Sequence, residues 1–327
     1  MTPVRDVCVI GLGLIGGSLL RASAASGRTT WGAAASEVDA DAASRAGYDV
    51  TTDAEAALHR AAAADALVVL AVPLPAVENL LRLVAQHAAH CLLTDVVSVK
   101  GPMLEAVRRR APYTRYVGGH PMTGTAESGW LAGEESLFQD AAWVVCVEED
   151  TDLEAWAEVT RLVLDVGSFA VPLPADSHDE TVARISHLPH LLAAILATIG
   201  AQGGPLAMSL AAGSYRDGTR VAGTAPELVR AMTEGNREAL LPIVDEALGR
   251  LGAARGSLAS TGGLAATINA GHEGALALSA AHDAARSGVR ITLSSSGARD
   301  GLIALGERGG RITSLSLEEG IAVGEVN

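Results

Sequence analysis

The stretch Val7-Cys8-Val9-Ile10-Gly11-Leu12-Gly13-Leu14-Ile15-Gly16-Gly17-Ser18 decides the fold. Its first four residues are apolar without polar alternation, the pattern of a strand covered on both faces. Glycines at 11, 13 and 16 then have the spacing of a dinucleotide-binding turn. The first permits the tight turn, the second lets the backbone approach a pyrophosphate, and the third allows strand and helix to pack closely. A helix over 14–26 would offer its free N–H groups and its dipole to the phosphates. Alone the glycine spacing is a weak signal, and the residues downstream give it weight.

Apolar runs at 30–33, 66–72, 92–95, 116–118 and 143–147 read as further strands, with helical patterns over 14–26, 53–64, 75–87 and 102–110 between them. Repeated βαβ units of this kind build a doubly wound parallel sheet. A helix over 153–166 and a last edge strand over 169–172 follow, then nearly continuous helix from 179 to 287, broken at Gly203-Gly204, Gly213 to Gly218 and Gly262-Gly263. Strand-like segments at 289–293, 312–317 and 320–323 flank a short helix or turn at 301–306. The expected organisation is a dinucleotide-binding Rossmann domain over 1–172, an all-α substrate and dimerisation domain over 173–287, and a small β-containing extension over 288–327. That extension is expected to brace the helical domain, its shortness counting against half of a ligand-sensing module. The helical part carries more apolar surface than one subunit hides, which favours a homodimer.

Composition bounds the partners. In 327 residues, 38 acidic side chains outnumber 24 basic ones, for a net charge of -14, so nucleic acid is a poor partner. Aromatic residues make up 3% and hydrophobic residues 49%, so Ala, Leu, Val and Ile must build the core. Cys8, Cys91 and Cys146 lie in or beside apolar runs and read as buried thiols of a reduced compartment. Neither a cleavable leader nor an uninterrupted apolar span is read, so the expectation is a cytoplasmic protein without a membrane partner. Of the basic residues 23 are Arg, and Lys100 is the one Lys.

Chemistry concentrates in loops after strands, where ligands of open α/β sheets bind. Asp95-Val96-Val97-Ser98-Val99-Lys100-Gly101 follows one strand, and Gly118-Gly119-His120-Pro121-Met122-Thr123-Gly124-Thr125-Ala126-Glu127-Ser128-Gly129 follows another. Ser98 can donate to a substrate oxygen, Lys100 is structural or electrostatic, and His120 is placed to take a proton near neutral pH. The acidic residue that commonly binds the adenosine ribose should fall near Ala34, but the chain reads Gly32-Ala33-Ala34-Ala35-Ser36-Glu37. No Arg or Lys follows to attract a 2′-phosphate either, so NAD and NADP both stay open, with Glu37 one turn on as a substitute.

These loops, together with Ser177-His178-Asp179, Ser186-His187-Leu188-Pro189-His190 and Asp217-Gly218-Thr219-Arg220-Val221-Ala222 before Ala225-Pro226, resemble the prephenate/arogenate dehydrogenase family of tyrosine biosynthesis. The resemblance spans residues 7 to 230. It implies NAD(P)-dependent oxidative decarboxylation of prephenate or arogenate to 4-hydroxyphenylpyruvate or tyrosine. Aromatisation drives such a reaction, so no metal is called for. His120 matches the residue that accepts the hydroxyl proton, and Ser98 a residue beside it. Arg220 matches the arginine that holds a substrate carboxylate, a task suited to a planar guanidinium. His190, His178 and Thr125 match other substrate contacts, and Asp217 a residue that orients the arginine. Gly11, Gly13, Leu14, Ile15, Gly16, Val72, Pro73 and Asp95 match the cofactor site, and His187 is assigned to packing.

Two positions depart from the family. Val229 stands where Trp is common, and Ala126 replaces a common acidic residue, with Glu127 one place on. Both departures lie near the substrate in relatives, and they admit 4-amino-4-deoxyprephenate as an alternative substrate. A β-hydroxyacid dehydrogenase would need a lysine in the second domain, and none follows Lys100. A dinucleotide-binding sensor without catalysis would lack a base or an anchor, yet His120 and Arg220 are both present.

Overall fold

Alternate residues of the first strand feed two different cores, which places that strand mid-sheet. In the computed structural model, which describes residues 4–125 and 127–326, β1 (Val7–Ile10) turns Val7 and Val9 to one face and Cys8 and Ile10 to the other. It pairs in parallel with β2 (Thr30–Ala33) and β4 (Leu67–Leu70). With β3 (Val50–Thr51), β5 (Leu92–Asp95) and β6 (Tyr116–Val117) the order is β3-β2-β1-β4-β5-β6, the doubly wound arrangement. Helices α1 (Leu14–Ala25) and α2 (Glu37–Arg45) cover the Val7 face. Helices α3 (Ala54–Ala64), α4 (Leu74–His87) and α5 (Gly101–Arg110) cover the Cys8 face. The sequence reading passed over α2 and β3, because the helix is short and polar and the strand has two residues. What starts α2 is its cap, Ser36, whose hydroxyl accepts from the Asp39 amide at 3.2 Å.

The expected strand at 116–118 is in fact the end of one sheet and the approach to another. After β6 the chain crosses at Gly118-Gly119 into β7 (Gly119–Pro121), which pairs antiparallel with β8 (Ala142–Cys146). A side chain at Gly119 would lie 2.7 Å from the Asp95 carbonyl oxygen, so only glycine lets the crossing run this close to β5. Helix α6 (Leu153–Asp165) leads to β9 (Phe169–Leu173), which pairs in parallel with β8.

β9 was expected at an edge, and the tail was expected to brace the helices. Both expectations need correction. β10 (Ser287–Thr292), α14 (Ala298–Glu307), β11 (Arg311–Ser316) and β12 (Ile321–Val326) return to the first half of the chain, giving a second sheet in the order β10-β12-β11-β9-β8-β7. Ile312 pairs with Ala170 across the β11–β9 seam. Leu302, Leu305, Ile312 and Val326 share a core with Val7, Leu19 and Trp156, which is the apolar burial that draws the tail there.

The helical region comprises α7 (Ala175–Val182), a π-helical turn (Ala183–His187), α8 (Leu188–Gln202), α9 (Gly204–Leu210), α10 (Gly213–Thr219), α11 (Pro226–Gly235), α12 (Arg237–Ser260) and α13 (Ala265–Asp283). The expected break from Gly213 to Gly218 is therefore helical. Helices α9, α10, α11 and α13 bury none of their described residues in one chain. The run Ala175–Gln202 is 28 residues long, and an 18-residue window within it reaches a mean hydropathy of 1.4, long and apolar enough on length and composition alone to cross a membrane. Buried His178 and His187 lie within it.

Candidate active site

A cleft of about 320 Å³ opens at the carboxyl edge of the first sheet. Gly13, Leu14, Ile15 and Gly16 line one side, Val72 and Pro73 the floor after β4, and Ser98 and Thr125 the loops opposite. Gly11 has φ +101°, and a Cβ at Gly16 would fall 1.9 Å from the Gly11 carbonyl oxygen, so both are confined to glycine. A Cβ on Gly13 would meet nothing within 4 Å. The turn is thus packed at its ends and open at its middle, where the N-terminus of α1 faces the cleft. Leu228, Ala231 and Met232 of α11 close the far wall. The sequence carried no signal for that wall beyond the apolar face of a helix.

Asp95, expected at the cofactor, is turned inward and fully buried. It accepts from the Val97 amide at 2.7 Å and the Tyr116 hydroxyl at 2.6 Å, and it forms an ion pair with buried Lys100. The Lys100 ammonium also donates to the Gly119 carbonyl at 2.6 Å. The one lysine therefore pins the loop after β5 to the residue preceding His120.

His120, half-buried on β7, stands three residues ahead of Thr123, which lines the cleft. Its Nδ1 lies 2.8 Å from His178 Nε2, and His178 Nδ1 lies 2.7 Å from Asp179 Oδ1. Asp179 also accepts from the backbone amides of Lys100 and Gly101, each at 2.8 Å. Burial, then the neighbouring His178, Lys100 and His187, holds the His120 imidazole well below histidine's ordinary value. Burial likewise lowers His178, against the pull of Asp179, and Asp179 is held low by His178 and the two amides despite its own burial. Since the carboxylate accepts, His178 carries its proton on Nδ1 and accepts at Nε2 from His120 Nδ1–H. The free nitrogen of His120 is then a lone-pair acceptor.

His178, expected to touch substrate, is thus placed behind His120. Asp179 stands in the Ser177-His178-Asp179 motif but was given no role by the sequence. Asn236 gave no signal, and it donates to the Asp179 carbonyl at 2.8 Å and lies 3.0 Å from His187 Nδ1. His187 is buried, as its packing role requires, and burial lowers it to about 4. His190 is half-buried with Nδ1 2.8 Å from the Ser186 carbonyl. Arg220 and Asp217 are exposed on a single chain, and among the described residues the Arg220 guanidinium has no ion-pair partner. Glu127 lines the cleft, Val229 is half-buried on α11, and Ala126 lies outside the described residues.

Residues 17–171 match the family model for the prephenate dehydrogenase nucleotide-binding domain, and residues 174–261 that for the prephenate dehydrogenase dimerization domain. The chain belongs to the prephenate dehydrogenase family. A cyclohexadienyl dehydrogenase of Zymomonas mobilis is 32% identical over 301 residues, covering 86% of this chain and 99% of the relative. A 4-amino-4-deoxyprephenate dehydrogenase of Streptomyces pristinaespiralis is 33% identical over 263 residues, covering 75% and 81%. The solved structure of a Corynebacterium glutamicum protein, provisionally named a prephenate dehydrogenase, superposes with a TM-score of 0.89 at 44% identity, over 94% of this chain and 98% of that one. Synechocystis arogenate dehydrogenase superposes at 0.64 with 30% identity, covering 78% and 92%.

Proposed function

We propose that the chain converts prephenate to 4-hydroxyphenylpyruvate by oxidative decarboxylation, as a cytoplasmic homodimer using NAD. The observation that carries this reading is His120, a neutral imidazole at the edge of a nucleotide cleft with its Nδ1 already committed to His178. The open middle of the glycine turn and the α1 N-terminus fit a pyrophosphate. NAD, when bound there, supplies the acceptor for the hydride that leaves C4 of the ring. His120 Nε2 takes the C4 hydroxyl proton as that carbon is oxidised. Departure of the C1 carboxylate as CO2 leaves its electron pair to aromatise the ring, and the proton held by His120 can return to the phenolate oxygen. Arg220 holds a carboxylate of the substrate, Asp217 orients a guanidinium from across the dimer since the two make no ion pair within one chain, and Ser98, Thr125 and His190 complete the substrate contacts. His178 acts through His120. Asp95 serves the site through Lys100.

NAD is favoured over NADP because buried Ala34 and exposed Ala35 and capping Ser36 follow β2, offering no cation for a 2′-phosphate. The free, buried state of Cys8, Cys91 and Cys146 suits a reducing compartment. We retain 1–172, 173–287 and 288–327 as nucleotide unit, helical unit and extension, the last completing the second sheet. The amino analogue is the second reading, supported by Val229 and by the relative named for that substrate. The test is turnover of prephenate, arogenate and 4-amino-4-deoxyprephenate with NAD and with NADP. Highest kcat/KM for prephenate with NAD is expected, and preference for the amino substrate would replace the first reading by the second. His120→Asn should lower kcat by about 10²–10⁴-fold with NAD affinity retained. Full turnover in that variant would remove His120 as the base.

A further inference from the structure

Helices α3 and α4 bring three side chains together at the end of α4 remote from the cleft. Glu55 and His59 share a face of α3 at i, i+4, and His87 ends α4. Leu74, which lines the cleft, begins the same helix about 20 Å away at 1.5 Å per residue. Glu55 Oε1 lies 3.4 Å from His87 Nε2 and 3.6 Å from His59 Nε2, and all three ligand atoms fall within 4.8 Å of one another. The His87 side chain is 9% exposed, and its Nε2 is buried with no hydrogen-bond partner among the described residues.

The two distances are long for imidazole–carboxylate hydrogen bonds, which close to about 2.7–2.9 Å. They match the edge of a tetrahedron whose N and O corners stand about 2.0–2.2 Å from one ion, roughly 3.3–3.5 Å. We propose that Glu55, His59 and His87 bind one divalent transition-metal ion, Zn²⁺ foremost, with water in the fourth position. Two imidazoles and a carboxylate suit zinc, whereas Mg²⁺ and Ca²⁺ take all-oxygen sets. The two helices that carry the ligands are held in advance. Asp53 caps α3, accepting from the Glu55 and Ala56 amides at 2.9 and 3.1 Å, and Leu58, Ala61, Leu81 and Val84 pack beneath both helices in one core. The ion would tie α3 to α4 and take no part in the reaction.

A second cluster, Asp65, His90 and Cys91, is a poorer site. His90 Nε2 already lies 3.0 Å from the Ala62 carbonyl, and burial pushes the Cys91 thiol up to about 11, against the thiolate a metal needs.

The experiment is calorimetric titration of the untagged, chelator-stripped full chain with ZnCl₂, and with CoCl₂ read by the visible absorption of four-coordinate cobalt. One ion per chain is expected. His59→Gln and His87→Gln should each weaken binding at least tenfold, while His90→Gln leaves it unchanged and prephenate turnover is unaltered in His59→Gln. His59 is exposed, so its variant tests the site even where His87→Gln fails to fold. Absence of stoichiometric uptake, or uptake that survives His59→Gln, would overturn the proposal.

Discussion

Asp179 accepts from His178 Nδ1 and from two backbone amides, and the first of these bonds sets which nitrogen of His120 is free. An amide at this position can donate instead. His178 would then carry its proton on Nε2 and donate to His120 Nδ1, placing the His120 proton on Nε2, the nitrogen proposed to accept. Asp179→Asn should therefore lower kcat by about 10²-fold or more while the Kd for NAD holds, measured by single-turnover kinetics beside cofactor titration. Equal kcat in variant and wild type would show that the tautomer is not set from Asp179. The pH profile has a definite sign. Only neutral His120 accepts a proton, and its value is depressed, so the acid limb of kcat/KM should fall below pH 6.5, the ordinary histidine value. His120 and His178 were each legible from their motifs. Their pairing was not, because 58 positions separate them and the contact exists only once β7 and α7 are packed.

The loop between β5 and α5 shows what an element contributes that no single residue announces. Lys100 and Asp95 are both buried, so neither charge can be solvated if the other is lost. Lys100→Met should cost about 3–5 kcal/mol of unfolding free energy and raise KM through the released Gly119 carbonyl, as followed by urea denaturation and steady-state kinetics. The double variant Asp95→Asn/Lys100→Met, which strands no charge, should recover most of the stability. Additive losses would mean that the pair is not coupled. The π-helical turn at Ala183–His187 has the opposite history. In an unbroken α-helix nine positions place His178 and His187 about 180° apart, yet both are buried toward Asp179 and Asn236, and the wider turn takes up part of that rotation. Its sequence, Ala-Arg-Ile-Ser-His, reads as ordinary helix. Helix existence was thus legible from periodicity, while the local change of pitch depends on tertiary contacts.

At the scale of the whole molecule, the parallel sheet was legible because its strands are apolar on both faces, and that pattern requires cover. The tail was misplaced because an alternating strand states that one face is buried but not against what. Only the pairing of β11 with β9 shows that the last forty residues belong to the first core. The same limit applies to the helices, whose exposed Ile195, Ile199, Leu206, Leu248, Leu251 and Leu258 face no partner in one chain. They lie in the region matching the dimerization domain, so a second copy is the expected cover for them. Leu248→Asp/Leu251→Asp should convert a dimer to a monomer in light scattering. Exposed Arg220 and half-buried His190 belong to the same helical region, so the monomer should show a raised KM for prephenate. The nucleotide cleft is built mainly by the first sheet, so the Kd for NAD should stay near the wild-type value. A monomeric wild type, or a monomeric variant with unaltered KM, would separate the substrate site from the subunit interface and leave the apolar helices in need of another partner.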